Sequence, residues 1–249
     1  MSHHVVEVRD LSFAYPDGTE ALKGVSFRIE HGGSVALIGG NGAGKSTLLL
    51  HLNGYLAATR GEVRIGDTIV TRETAALARR AVGMVFQDPD DQLFMPTVAE
   101  DVAFGPLNAG LPADQVESRI ASALDRVGMA HLRERPPYRL SAGEKRAVAI
   151  ASVLAMSPDI LVMDEPSSNL DPRARRRLIR HLLSFEHTKI IATHDLELVV
   201  EVCRHALVMD DGRIVARGPA VEILADENLM LAHGLERPHS LRHAHPSRP

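Results

Sequence analysis

Near the start of the chain the apolar residues come in short alternating or β-branched runs. Val5 to Val8 and Val25 to Ile29 flank the turn signal Tyr15-Pro16-Asp17-Gly18, which predicts an antiparallel strand pair. Ser34 to Ile38 is apolar without alternation, so it predicts a strand buried on both faces and central in its sheet. It runs into a glycine cluster and then a helical apolar pattern from Lys45 to Leu52. Gly61 to Val70 reads as a second hairpin turning at Gly66-Asp67, and Ala81 to Phe86 as a further strand.

From Asp88 the pattern changes. Asp, Pro and Gly punctuate the chain up to Pro112, after which Val116, Ile120, Ala123, Leu124 and Val127 recur at helical spacing, and Ala142 to Met156 predicts another helix. Ile160 to Met163 returns to buried-strand composition. Pro172 to Phe185 is helical with Ala174, Leu178, Ile179, Leu182 and Leu183 on one face, and Lys189 to Ala192 is a strand again. The pattern predicts an α/β core over 1–88 and 158–232, a helical subdomain inserted over 89–157, and a structureless His- and Pro-rich tail over 233–249.

At 249 residues the chain suits one large α/β domain with a small subdomain. A net charge of -4 gives no electrostatic footprint for nucleic acid, so no nucleic-acid partner is expected. The single cysteine, Cys203, has no internal disulfide partner, which suits a reducing compartment. No stretch reaches the roughly 18 apolar residues that span a bilayer. The N-terminal residues lack the segments of a signal peptide.

Gly39-Gly40-Asn41-Gly42-Ala43-Gly44-Lys45-Ser46 fits G-x-x-x-x-G-K-[ST] between a predicted strand and a predicted helix, the context this motif requires. Its glycines let backbone N–H groups curl round the phosphates of a nucleotide, Lys45 reaches the β- and γ-phosphates, and Ser46 ligates Mg²⁺, with Thr47 beside them. Asp164-Glu165 closes a buried strand at its carboxyl end, where ligand-facing groups of open α/β sheets sit. Asp164 is placed to hold Mg²⁺ and Glu165 to polarise the water that attacks the γ-phosphate. Leu140-Ser141-Ala142-Gly143-Glu144 opens a helix. Ser141 with Glu144 forms a capping box, and Ser141 with the Gly143 N–H also forms a small anion site.

In this order and separation the three motifs resemble the ATP-binding subunits of ABC transporters over nearly the whole chain. The resemblance implies a P-loop NTPase fold: a RecA-like core with an N-terminal antiparallel β-subdomain and an inserted helical subdomain. It further implies Tyr15 as the aromatic that stacks on adenine, and Gln87 as the residue linking Mg²⁺ to the membrane contact. Leu140 to Glu144 matches the signature loop, Asp171 in Ser168-Asn169-Leu170-Asp171 the dimer-facing aspartate, and His194 the γ-phosphate contact. Singly, each has a plainer reading: Tyr15 as a turn aromatic, Gln87 as a solvated residue, Asp171 as a helix cap, His194 as a satisfied strand-end histidine. In that family the signature loop of one subunit covers the ATP of another, so the expected partner is a second copy, or a second similar ATPase. Ala142 stands where the family often has glycine and Glu144 where it often has glutamine, a departure that touches turnover rate and removes no phosphate ligand.

Asp88-Pro89-Asp90-Asp91-Gln92-Leu93-Phe94 and Thr97 to Pro106 look like the ATPases of energy-coupling-factor importers, above all their cobalt and nickel branch, with a vitamin such as biotin as the alternative cargo. The implied partners are a transmembrane coupling protein and an integral substrate-binding membrane subunit, and the implied location is the cytoplasmic face of the cell membrane, held peripherally. Leu93, Phe94 and Met95 read either as an apolar patch for a partner helix or as part of the subdomain's core. Arg173, Arg175, Arg176, Arg177 and Arg180 form the one basic cluster, read as a solvated helix face. Rival classes are a soluble ABC-type ATPase acting on nucleic acid and a P-loop kinase, and the latter has no use for the signature loop or His194.

Overall fold

The computed structural model describes residues 5–242. In chain order its elements are β1 (Val6–Ala14), β2 (Glu20–Ile29), β3 (Ser34–Ile38), α1 (Lys45–Leu52), β4 (Arg60–Ile65), β5 (Thr68–Ile69), α2 (Ala75–Ala81), β6 (Val82–Val85), α3 (Val98–Asn108), α4 (Ala113–Arg126), α5 (Ala142–Leu154), β7 (Ile160–Asp164), α6 (Pro172–Ser184), β8 (Thr188–Ala192), α7 (Leu196–Val202), β9 (His205–Asp210), β10 (Arg213–Pro219), α8 (Ala220–Ala225), α9 (Glu227–Ala232) and α10 (His239–Arg242).

The strands form two sheets. The first is antiparallel, in the order β2-β1-β4-β5, with Val6 opposite Ile29 across β1 and β2. The second has the order β10-β9-β3-β8-β7-β6, and all but the edge strand β10 run parallel. β3 is central, between β9 and β8, as its unbroken apolar run predicts.

Alternation along these strands feeds two cores. Val35 and Leu37 of β3, with Ile160 and Val162 of β7, join the apolar cluster that packs the antiparallel sheet over α1. Ala36 and Ile38, with Leu161 and Met163, face the other way into a cluster shared with α3 to α8. A parallel strand covered on both faces has no solvent side, so its sequence shows no period of two. The inserted helices α3 to α5 bury their apolar faces in that same second cluster, so insert and sheet share one core.

Three departures from expectation have local causes. Val98–Asn108 is a helix, although Gly105 and Pro106 make that stretch read as a loop. A capping box between Thr97 and Glu100 starts it, and Pro106 falls near its C-terminal end, where a missing N–H matters least to the turns before it. Leu93 is buried in the core while Phe94 is 62% exposed, so the two readings of that patch divide between neighbouring residues. The described part of the expected tail, residues 233–242, is ordered. His233 Nδ1 lies 2.8 Å from Asp210 Oδ2, Leu235 is buried, and Ser240 N–H donates to Glu197 Oε1 over 3.2 Å. His243 and His245 lie outside the described residues. Of the basic cluster, Arg175 pairs with Asp195 and Glu201, and Arg173, Arg176 and Arg180 are exposed.

Candidate nucleotide site

A cleft of about 560 Å³ opens at the carboxyl ends of β3 and β7. Its phosphate loop, 39–44, leaves β3 and turns into α1. Gly44 takes φ 98°, and a Cβ there would lie 2.5 Å from the Ala21 carbonyl oxygen; at Gly39 it would lie 2.2 Å from that of Met209. Both positions therefore exclude a side chain. Asn41, Gly42, Ala43, Gly44, Lys45, Ser46 and Thr47 line the cleft. Gly39 and Gly40 do not line it; their carbonyls accept the Lys45 Nζ donors over 2.8 and 2.9 Å.

The opposite wall carries the acids. β7 and β8 are parallel neighbours with Asp164 opposite Ala192, so the residues that follow, Glu165 on one strand and Thr193-His194 on the other, meet by register. Glu165 Oε2 accepts from Thr193 Oγ1 at 3.1 Å and from the His194 N–H at 3.2 Å, and lies 2.8 Å from His194 Nδ1. Glu165 itself has φ 44°, a left-handed conformation rare for a residue with a Cβ, and this is the kind of local strain found at functional positions. Asp164 is 5% exposed; burial raises its pKa, with the Glu165 charge adding to this and a hydrogen bond from Ser46 opposing it. Burial lowers the pKa of Lys45, while the Glu165 and Asp164 carboxylates hold it up.

Tyr15 and Gln87 complete the cleft, together with Thr19, Glu20 and Ala21, which sequence reasoning did not single out. Arg146 was also missed. It is 3% exposed on α5, and its guanidinium donates to the Phe86 carbonyl at 2.7 Å and the Gln87 carbonyl at 2.5 Å, fixing the backbone that presents Gln87. Its only signal in the sequence is an arginine at a helix position that is otherwise apolar.

Ser141, Gly143, Glu144 and Asp171 do not line this cleft. Ser141 and Glu144 close a reciprocal capping box on α5, with the Ser141 N–H donating to Glu144 Oε2 over 2.8 Å; the Ser141 N–H and hydroxyl hold the Glu144 carboxyl below its ordinary range. Asp171 caps α6 by accepting from the Arg173 and Ala174 N–H groups, at 2.8 and 2.9 Å, so the plain capping readings hold in the single chain. A Cβ on Gly143 would meet that of Ala174 at 3.2 Å, which packs the start of α5 against the start of α6. Ala142 lines a separate cavity of about 500 Å³ with Gln87, Leu140, Ser168 and Asn169.

The donor set suits a nucleotide with Mg²⁺. Among the described residues no group of three or more His, Cys, Asp or Glu gathers to hold a metal ion. Three residues that line the cleft, Ser46, Gln87 and Asp164, would instead offer a hydroxyl, an amide and a carboxylate, the sparse oxygen set typical of Mg²⁺ that shares its shell with phosphates. A cation, a helix N-terminus and backbone donors stand opposite for those phosphates.

Comparison with known proteins decides the family. Residues 22–168 match the model of the family described as ABC transporter. The chain belongs to that family. This ABC transporter ATPase is 64% identical to a Geobacter sulfurreducens protein provisionally named an ABC transporter ATP-binding protein, over 97% of each chain. It is 48% identical to the energy-coupling factor transporter ATP-binding protein EcfA of Methanothermobacter thermautotrophicus, over 94% of this chain and 77% of that one. The solved structure of cbiO1 from Clostridium perfringens, part of the ABC transporter complex cbiONQ, superposes with a TM-score of 0.81 at 38% identity over 92% of this chain and 94% of that one. The ABC transporter ATPase has the P-loop α/β fold with an antiparallel β-subdomain and a helical insert, binds ATP with Mg²⁺, and hydrolyses ATP in a reaction coupled to transport.

Proposed function

We propose that the chain is the ATPase of an energy-coupling-factor importer and powers uptake of a transition metal ion, cobalt or nickel. Asp88 to Pro106 carries this reading. Its sequence resembles the metal branch, and within it Phe94 and Phe104, 62% and 44% exposed, stand edge to face 4.9 Å apart. An exposed aromatic pair suits a coupling helix of a transmembrane subunit. Kinship with EcfA and with cbiO1 supports the same assignment. No helix among the described residues is long and apolar enough to cross a membrane, in keeping with peripheral attachment at the cytoplasmic face through a coupling protein and a substrate-binding membrane subunit.

In this reading Tyr15 receives the adenine, and Asn41 to Thr47 receive the phosphates on backbone N–H groups. Lys45 leaves the Gly39 and Gly40 carbonyls for phosphate oxygens. Ser46, Gln87 and Asp164 would hold Mg²⁺, which neutralises phosphate charge when bound. Glu165 orients and polarises the attacking water, and His194 keeps the Glu165 carboxylate in place while facing the γ-phosphate. Ser141, Gly143 and Asp171, outside the cleft of their own chain, serve the nucleotide of a second copy or of a similar ATPase. Closure of that dimer moves the membrane subunits, and loss of the γ-phosphate releases it.

Uptake into proteoliposomes that hold the chain with its membrane subunits tests the cargo. ATP-driven accumulation of radioactive cobalt or nickel is the expected result. Accumulation of biotin without either metal would replace the metal assignment by the vitamin one.

A further inference from the structure

The aromatic expected to receive the base does not stand alone. Tyr15 begins the loop between β1 and β2, closed by Tyr15 N–H to the Thr19 carbonyl and Gly18 N–H to the Tyr15 carbonyl, at 2.9 Å each. That loop fixes the backbone and leaves the ring to be placed by its surroundings. The Tyr15 hydroxyl lies 2.9 Å from Thr47 Oγ1. The Phe13 ring meets the Tyr15 ring edge to face, at 5.0 Å between centroids and 85° between planes. On its other flank Phe13 meets the His51 ring at 4.7 Å and 74°. The chain of contacts returns to its start, because His51 Nδ1 donates to the Thr47 backbone carbonyl over 2.7 Å.

This circuit has a mechanical meaning. Thr47 and His51 are one helical turn apart on α1, the helix whose first residues, Lys45 and Ser46, face the phosphates. A ring referenced to that turn keeps a fixed offset from the phosphate loop, set by the helix itself rather than by the β1–β2 connection alone. His51 is 1% exposed, burial lowers its pKa, and its Nδ1 carries the proton that Thr47 accepts, so it serves as a neutral ring of fixed orientation. Phe13, half-buried on β1, bridges the two elements.

We propose that Phe13 and His51 are positioning residues that, with Thr47 as their common anchor, hold the Tyr15 ring as a preformed platform for a purine base. This rests on the reading that Tyr15 receives the base. Preforming the platform removes the freezing of a side chain from the act of binding, so it strengthens the base contact without touching the phosphates.

Two ligands separate the base contact from the phosphate contact: a non-hydrolysable ATP analogue and inorganic tripolyphosphate, each with Mg²⁺. Calorimetric affinities for both are measured on wild type, Phe13→Leu, His51→Leu and Tyr15→Ala, with thermal melting to register folding. Phe13→Leu is expected to weaken the analogue roughly three- to tenfold, as the loss of an aromatic edge contact implies, and to leave tripolyphosphate within about twofold. His51→Leu follows the same pattern if it folds, and Tyr15→Ala shows it more strongly. Equal weakening of both ligands in Phe13→Leu would mean that Phe13 only supports the fold, and overturns the proposal. Unchanged affinity in Phe13→Leu beside a clear loss in Tyr15→Ala overturns it too, and leaves the base reading standing. A Tyr15→Ala protein that discriminates the two ligands as wild type does removes the base reading, and the proposal with it.

Discussion

Single residues show how burial sets chemistry. Glu165 carries its carboxylate on three contacts from one neighbouring strand end, so an amide there keeps the shape and loses the basicity. Glu165→Gln is expected to lower the hydrolysis rate by roughly two to four orders of magnitude, with ATP binding retained, in a phosphate-release assay run beside a binding titration. Asp101 is a second buried acid, 4% exposed, whose Oδ1 accepts the Phe94 and Met95 N–H groups at 3.0 Å each. It thereby ties the exposed aromatic loop to α3. Burial raises its pKa above the unfolded value, with those two hydrogen bonds opposing. The proton therefore binds the folded state more tightly, and the stability it lends is fully present below the unfolded pKa and lost as pH rises through the folded one. Asp101→Asn keeps the acceptor and removes the charge. Its melting temperature should gain on wild type as pH rises from about 4 to 7, and a constant gap would refute the assignment.

At the scale of elements, periodicity read the strands and helices that have one clear environment. β3 and α1 match their predicted limits, and β7 and α6 fall within a residue of theirs. It failed on α3, where Gly105 and Pro106 outweighed an apolar face that only packing against α4 and α5 makes useful. It also gave no reason for a lysine in the buried strand β8. Lys189 is 7% exposed, and its Nζ donates to the carbonyls of Leu182, in the last turn of α6, and of Phe185, just past its end, at 2.7 Å each. Lys189→Met takes the ammonium donor from both carbonyls in an apolar setting and leaves that of Leu182 with the Phe185 N–H, 3.4 Å away. A loss of about 1–3 kcal/mol is expected from urea unfolding.

For the whole molecule, the chemistry divides into two sets on one chain. The phosphate loop, Asp164, Glu165 and His194 share a cleft, and Ser141 with Gly143 stands outside it. An ATP-dependent dimer of Glu165→Gln by size exclusion is the expected consequence. Adding Ser141→Arg should abolish that dimer while the monomer still binds ATP with the affinity of Glu165→Gln alone. A Ser141→Arg chain that bound ATP poorly as a monomer would place the signature loop in the site of its own chain.

The sequence by itself determined the phosphate loop, the acid pair at a strand end, the central buried strand and the family resemblance. Those features depend on residues close together in the chain, where a glycine's backbone freedom or an apolar run acts locally. Only the tertiary structure decided that His194 grips Glu165, that Arg146 braces Gln87, that Phe13 links Tyr15 to His51, and that residues 233–242 dock on the domain. Each of these joins positions far apart in the chain. Strand register, sheet order and burial bring them together, and none of the three is written in local periodicity.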